Sequence, residues 1–403
     1  MHQIKSSLNT LALFNGKPVF DIPRSTSNLV KPDLDRFLEY SKLSFDAHQF
    51  TNNGPCVRLL EERLAKFHEA EYCLTFSSGF WAIALAIQEL ALANKTEIIV
   101  PSLTYRRMPD LISWLGLTPH FCDIDSDTLA MSVDSVEACI NDNTAIILGV
   151  HPIVNCCDVQ NLTLLAESKG IPIVFDSVES VFESVPEGRI GNFGNAECFS
   201  MHACKLINGF GGGYLTTNNR SLYDKLKSLR TFGFIAEDTV LEGLGLNAKL
   251  NEIHAAMALA SLDDINLQVT RNRARYEKYL NEFTNVIGID IVKFDEEQLS
   301  GYKNIVARIN DDWPLTRDNT IALLNAEKIL VRAHYFPPLH ERKMPTKFIT
   351  NPLKNTNVAS LQYINLPCGH QISLNDIEKI ASIFQFIRCQ SAEINIRLNR
   401  NVK

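Results

Sequence analysis

Apolar residues recur every three or four positions from Val57 through Leu60 and Leu64 to Phe67, which predicts an amphipathic helix over residues 57–70. The run EYCLTF (71–76) then predicts a strand, and WAIALAIQELALA (81–93) a helix apolar on most sides. Beyond it, short apolar runs alternate with helical ones. EIIV (97–100), PHFCDID (119–125), TAIILGV (144–150), IPIVFD (171–176), ECFSM (197–201) and GGYLTT (212–217) read as strands. MPDLISWLG (108–116), SVEACI (135–140) and NLTLLAESKG (161–170) read as helices. Strands that are continuously apolar are buried on both faces, and their alternation with helices predicts an α/β unit with a mostly parallel sheet. Residues 253–280 carry no Pro or Gly and predict one long helix. YKNIVARI, TRDNTIALLNAEKI, LVRAHYF and LNDIEKIASIFQFI (302–387) then predict strand, helix, strand and helix, a compact α+β unit. The expected division is 1–260 for an N-terminal arm and large α/β domain, and 261–403 for a linking helix and small domain.

Composition narrows the function classes. The chain has 403 residues, 45% hydrophobic and 21% charged, with a net charge of -7. That is a globular balance, too apolar for disorder. The mild acidity argues against nucleic acid as a partner, since phosphate backbones call for clustered Lys and Arg. The ten cysteines are scattered, with no CxxC pair and no zinc-ligand spacing, so no metal is expected. They read as buried free thiols in a reducing compartment. No apolar run approaches the ~18 residues of a membrane span, and the N-terminus lacks a signal peptide's apolar stretch. The expected location is cytoplasmic, with no membrane partner.

In open α/β sheets, ligands sit beyond the carboxyl ends of the strands. Ser77, Ser78, Gly79 and Phe80 follow the first strand and open a helix. Such a turn is either an anion site suited to phosphate or an ordinary Gly-containing βα turn. Asp176 ends a strand and is either a helix cap or a carboxylate facing the ligand crevice. Lys205, in FSMHACKLINGFGGG (199–213), stands between an apolar strand and a Gly-rich turn, and is either a surface lysine or an amine nucleophile. Taken in order, phosphate turn, strand-end Asp and Lys are the parts that hold pyridoxal phosphate.

With those residues in place, the sequence resembles the DegT/DnrJ/EryC1/StrS aminotransferases, fold-type-I pyridoxal-phosphate enzymes that aminate keto sugars. The resemblance rests on TNNGP (51–55), VPSLTYRRMPDLISWLGLTPHFCDID (100–125), GVHPIVNCCDV (149–159), IGNFGNAECFSMHACK (190–205) and GLNAKLNEIHAAMAL (245–259). It is nearest the branch acting on dTDP-linked 4-keto-6-deoxy sugars. It implies that Lys205 forms the Schiff base and moves protons, and that Asp176 pairs with the pyridine nitrogen. Ser78, Gly79, Phe80 and Ser200 would serve the phosphate, and Tyr105 would stack on the ring. Asn247 would reach the phosphate of a neighbouring subunit, which implies a homodimer with composite active sites.

The sequence departs from the family pattern in three places. Phe80 replaces a Thr of the phosphate turn, Gly211 replaces a Glu, and Glu179 stands where relatives carry a His or Gln that donates to the cofactor's phenolic oxygen. An ionised Glu cannot donate. It is expected to be protonated, to point away or to contact substrate. His202, Arg332 and His151 are weighed as substrate contacts against structural roles. The implied reaction moves the amino group of glutamate, or of glutamine, to a keto sugar. Lys205 argues against the family's 3-dehydratases, which carry His there. A scyllo-inosose-type carbocycle aminotransferase and a non-catalytic descendant are the rival readings.

Overall fold

The computed structural model describes residues 5–26, 30–236, 239–240, 245–344 and 346–400. Eight strands form the large sheet, in the order Tyr72–Phe76, Gly213–Thr217, Ala196–Ser200, Ile173–Asp176, Thr144–Val150, Glu97–Pro101, Thr118–Cys122 and Ile349–Thr350. Only Gly213–Thr217 runs against its neighbours. The expected α/β class with a mostly parallel mixed sheet is what the chain adopts. The predicted double-sided burial holds in full for Glu97–Pro101 and Thr144–Val150, whose residues are all buried.

This topology brings the chemistry together. Phe76, Asp176 and Ser200 end strands that run the same way, so the loops after them leave one edge of the sheet. Gly213, which opens the reversed strand, pairs with both Phe76 and Ser200 at that edge.

The helix expected over 253–280 is two helices, Glu252–Asp263 and Ile265–Phe283. Asp264 breaks it with φ -92° and ψ 1°. Two arginines hold this junction: Arg63 reaches Asp263 and Arg36 reaches Asp264, each at 2.6 Å. The break separates two kinds of helix. The first buries every residue from Ala255 to Leu262, whereas the second buries a stripe of Ile265, Gln268, Asn272, Tyr276, Tyr279 and Phe283.

The C-terminal part forms a four-stranded antiparallel sheet in the order Ile289–Ile291, Ile305–Ile309, Tyr363–Leu366 and Arg332–Ala333. Helix Leu374–Cys389 packs on Ile265–Phe283, with Phe384 edge-on to Phe283 at 5.1 Å. Sequence patterning did not predict Ile289–Ile291, Tyr363–Leu366 or the helix Ser391–Arg400. One short piece, Ile349–Thr350, crosses to the edge of the large sheet beside His120 and Phe121. The N-terminal arm folds onto the C-terminal part. There the buried Glu327 carboxylate accepts from the Ala12 and Val19 amides and pairs with Lys5 at 2.8 Å.

Candidate active site

The phosphate-type turn has the geometry of an anion cradle. Ser78 caps helix Gly79–Leu90, its hydroxyl accepting from the Trp81 amide at 3.3 Å. The helix therefore starts at Gly79, with its first amides at the sheet edge, where the helix dipole favours negative charge. Gly79 has to be glycine: a Cβ there would lie 2.8 Å from the Phe199 carbonyl oxygen and 3.2 Å from Ser200. Gly213 is under the same constraint, because its Cβ would meet the Gly79 nitrogen at 2.2 Å. These contacts set Ser78, Gly79 and Phe80 directly beside Ser200. Phe80 packs edge-on to Trp81 and is half-buried.

Lys205 follows from the next loop. Its amide donates to the His202 carbonyl at 2.8 Å, and the His202 amide donates to the Ser200 hydroxyl at 3.3 Å, so the segment is a tight turn anchored on the strand end. The Lys205 side chain is 13% exposed and its amine contacts Glu179. Burial pushes the Lys205 pKa down, while Cys204, Asp176 and Tyr105 oppose that shift. A lysine tuned downward can shed its proton and attack a carbonyl. Asp176 is 3% exposed, and its Oδ1 accepts from the Val178 amide at 3.2 Å. Burial raises its pKa; the Val178 amide and then Lys205 lower it. A buried carboxylate in this position calls for a cationic partner.

The other sequence candidates divide. Tyr105 is half exposed at the mouth, within electrostatic range of Lys205. His202 is exposed, its Nδ1 3.2 Å from Cys204 Sγ. His151 is buried, stacked on Phe175 at 5.8 Å and accepting from the Cys157 amide at 3.2 Å. Its Nε2 lies 3.8 Å from Glu197. Asn247 is exposed on the segment whose next carbonyl, Ala248, accepts from Ser77 at 2.7 Å. It thus flanks the phosphate turn. Arg332 is exposed on the edge strand of the small sheet, paired with Asn365. Glu179 does not point away: it bridges Lys205 and Lys303. Gly211 has room around it, with only His254 at 3.7 Å from a Cβ.

Sequence reasoning missed four residues here. Lys303 and Asn304 contact Glu179 from the small sheet. Tyr335 lies close enough to Asp176 to feel its charge. Glu197 accepts from the Gly191 and Phe193 amides at 2.7 and 2.9 Å and fixes the loop before Ala196. The unexplained Glu179 was itself a signal that a compensating cation stood nearby. Among the described residues no cluster of His, Cys, Asp or Glu is placed to hold a metal.

The profile of the DegT/DnrJ/EryC1/StrS aminotransferase family matches residues 35–385. The chain belongs to that family. A dTDP-4-amino-4,6-dideoxy-D-glucose transaminase from Shigella dysenteriae is 27% identical over 89% of this chain and 97% of its own length. A GDP-perosamine synthase from Escherichia coli O157:H7 is 27% identical over 83% of the chain and 91% of its own. Among solved structures, DesI in the presence of its TDP-sugar product superposes with a TM-score of 0.91 at 30% identity, covering 98% of this chain and all of that one.

The protein is therefore a pyridoxal-phosphate-dependent aminotransferase, and its residues fit the cofactor. The glycine cradle at Gly79 would leave helix amides for a phosphate, Asp176 would offer a buried carboxylate to a ring nitrogen, and Lys205 would offer the amine. When bound, the cofactor supplies an electron sink for the transferred amino group. The chain's own work is narrower. Asp176 would hold a positive charge in place, and Lys205 Nζ would be the group placed to take up and return a proton.

Proposed function

We propose that this aminotransferase takes the amino group of glutamate and places it on a nucleotide-linked 4-keto-6-deoxy sugar, with dTDP as the carrier. The observation that supports this reading most is the full-length likeness, at 30% identity, to DesI, solved in the presence of its TDP-sugar product. The dTDP-sugar transaminases of Shigella dysenteriae and Escherichia coli, each 27% identical, point the same way. A GDP-linked acceptor is the second reading, favoured by the perosamine synthases at 27% and 25% identity. Lys205, Asp176 and the Ser78–Phe80 turn are the cofactor residues we assign, with Tyr105, Ser200 and Asn247 completing the site. The test is direct amination of matched dTDP- and GDP-4-keto-6-deoxy sugars with glutamate as donor. Turnover with dTDP sugar alone supports the proposal; turnover with GDP sugar alone replaces it with the second reading.

The active unit in this proposal is a homodimer, in which Asn247, exposed on the segment that flanks the phosphate turn, reaches the site of the neighbouring subunit. Exposed apolar side chains at Leu34, Leu38, Phe45 and Phe50 offer a surface for it. Mixing a Lys205→Ala chain with an Asn247→Ala chain should restore up to about a quarter of wild-type activity if each site draws on both subunits. No restoration on mixing would count against a composite site. The division near residue 260 and a cytoplasmic location belong to the same proposal. Among the described residues no helix is long and apolar enough to cross a membrane, and all ten cysteines are free.

A further inference from the structure

Glu179 stands between two lysines. Its Oε1 accepts from Lys205 Nζ, its Oε2 accepts from Lys303 Nζ, and Asn304 Nδ2 donates to that same Oε2 at 3.3 Å. Glu179 sits on the turn after Asp176 of the large sheet. Lys303 and Asn304 lead into strand Ile305–Ile309 of the small sheet. The Lys303 side chain is 3% exposed and that of Glu179 16%. This is not a solvated surface pair. A lysine is kept charged in such a place only by a partner in contact with it.

We propose that Lys303 is a positioning residue of the active site, clamping the Glu179 carboxylate against the Lys205 nitrogen and offsetting its charge there. The proposal rests on Lys205 being the cofactor-binding lysine and adds a determinant that no motif reveals.

Several groups among the described residues face this cluster. Asp176, Tyr105 and Cys204 face Lys205; Cys368 and Asn304 face Lys303; Tyr335 faces Asp176. Burial pushes the Cys368 thiol up to about 11 and the Tyr335 phenol higher still, so both are neutral at working pH. His151 also acts on Asp176, and the charges nearest the Lys205 nitrogen are Asp176, Glu179 and Lys303. Burial pulls the Lys303 amine down to about 7, with Cys368 opposing that pull, while the Glu179 carboxylate in contact with it favours the charged form. The electrostatic consequence has a definite sign. Glu179 raises the proton affinity of the Lys205 nitrogen, and Lys303 moderates the effect.

The test is the pH midpoint of the bound cofactor's visible absorbance, read on holoenzyme variants without turnover. Lys303→Met should raise the midpoint by about one pH unit, a tenfold gain in proton affinity. Glu179→Gln should lower it by a similar amount. The double variant should return near wild type, and Lys303→Arg, which keeps the charge, should stay near it. A purely structural tie would lower the melting temperature and leave every midpoint in place; that result overturns the proposal. If Lys303→Met does not fold, Glu179→Gln and the double variant decide, since an unmoved midpoint in Glu179→Gln is equally fatal. A colourless wild type would overturn the assignment of Lys205 first, and this proposal with it.

Discussion

Arg230 Nη1 lies 2.5 Å from Glu61 Oε1, with both side chains largely buried. The same nitrogen donates to the Thr75 carbonyl at 2.7 Å, and Nη2 reaches Asn53 Oδ1 at 3.5 Å. One guanidinium thus ties helix Pro55–His68, the first strand and the TNNGP loop together. Removing one partner of such a pair leaves a buried charge uncompensated. Glu61→Ala should destabilise the protein by about 3–5 kcal/mol, measured by urea unfolding. A loss within about 0.5 kcal/mol would mean the pair is solvated and the burial overstated.

Two glycines near Lys205 should behave oppositely. Gly79→Ala drives a Cβ into the Phe199 carbonyl and Ser200, so the phosphate turn must shift. Cofactor Kd, read by absorbance titration, should rise about tenfold or more, about 1.4 kcal/mol. Gly211→Glu meets only His254 at ordinary contact distance. It should fold with stability within about 0.5 kcal/mol of wild type. Equal damage from both would contradict the account of the turn.

His334 is buried, with Nδ1 3.0 Å from Asn365 Oδ1, and burial pushes its pKa down to about 4 from 6.5. The sign follows from linkage. The unfolded chain takes up a proton below 6.5 while the folded chain resists until about 4, so this stability is complete above 6.5 and lost as pH falls. The gap corresponds to about 3 kcal/mol at most. Relative to wild type, His334→Gln should therefore gain up to that amount between pH 7 and pH 4. Taking the difference cancels buried carboxyls such as Glu183, which titrate in both proteins. A pH-independent difference would show that His334 protonates freely.

The strands of the large sheet were legible because buried parallel strands are short, continuous apolar runs, as Thr144–Val150 is. The Ser78–Phe80 turn and Lys205 could be singled out as candidates because they follow such strands in chain order. The break at Asp264 was not, since an Asp inside a helical pattern carries no stop signal and its arginine partner is Arg36, far away in sequence. Ile289–Ile291 is too short to show a period. Lys303 was hidden for a related reason: it meets Glu179 across 124 residues, and only folding joins them.

The assignment of the reactive lysine has its own check. Borohydride reduction of the holoenzyme should fix the cofactor to the peptide containing Lys205. Lys205→Ala should yield no fixed adduct while Lys303→Met retains it. Label on Lys303 in the wild type would mean that the neighbouring amine is the true carrier.

The central claim is that this chain holds pyridoxal phosphate on Lys205 and accepts an amino group from glutamate. Its most direct test is a single half-reaction: glutamate added to purified holoenzyme in the absence of any sugar. The account predicts loss of the visible absorbance, gain of the pyridoxamine phosphate band, and one 2-oxoglutarate released per site. A protein that stays colourless after incubation with pyridoxal phosphate, or that binds it and leaves glutamate untouched, would contradict it.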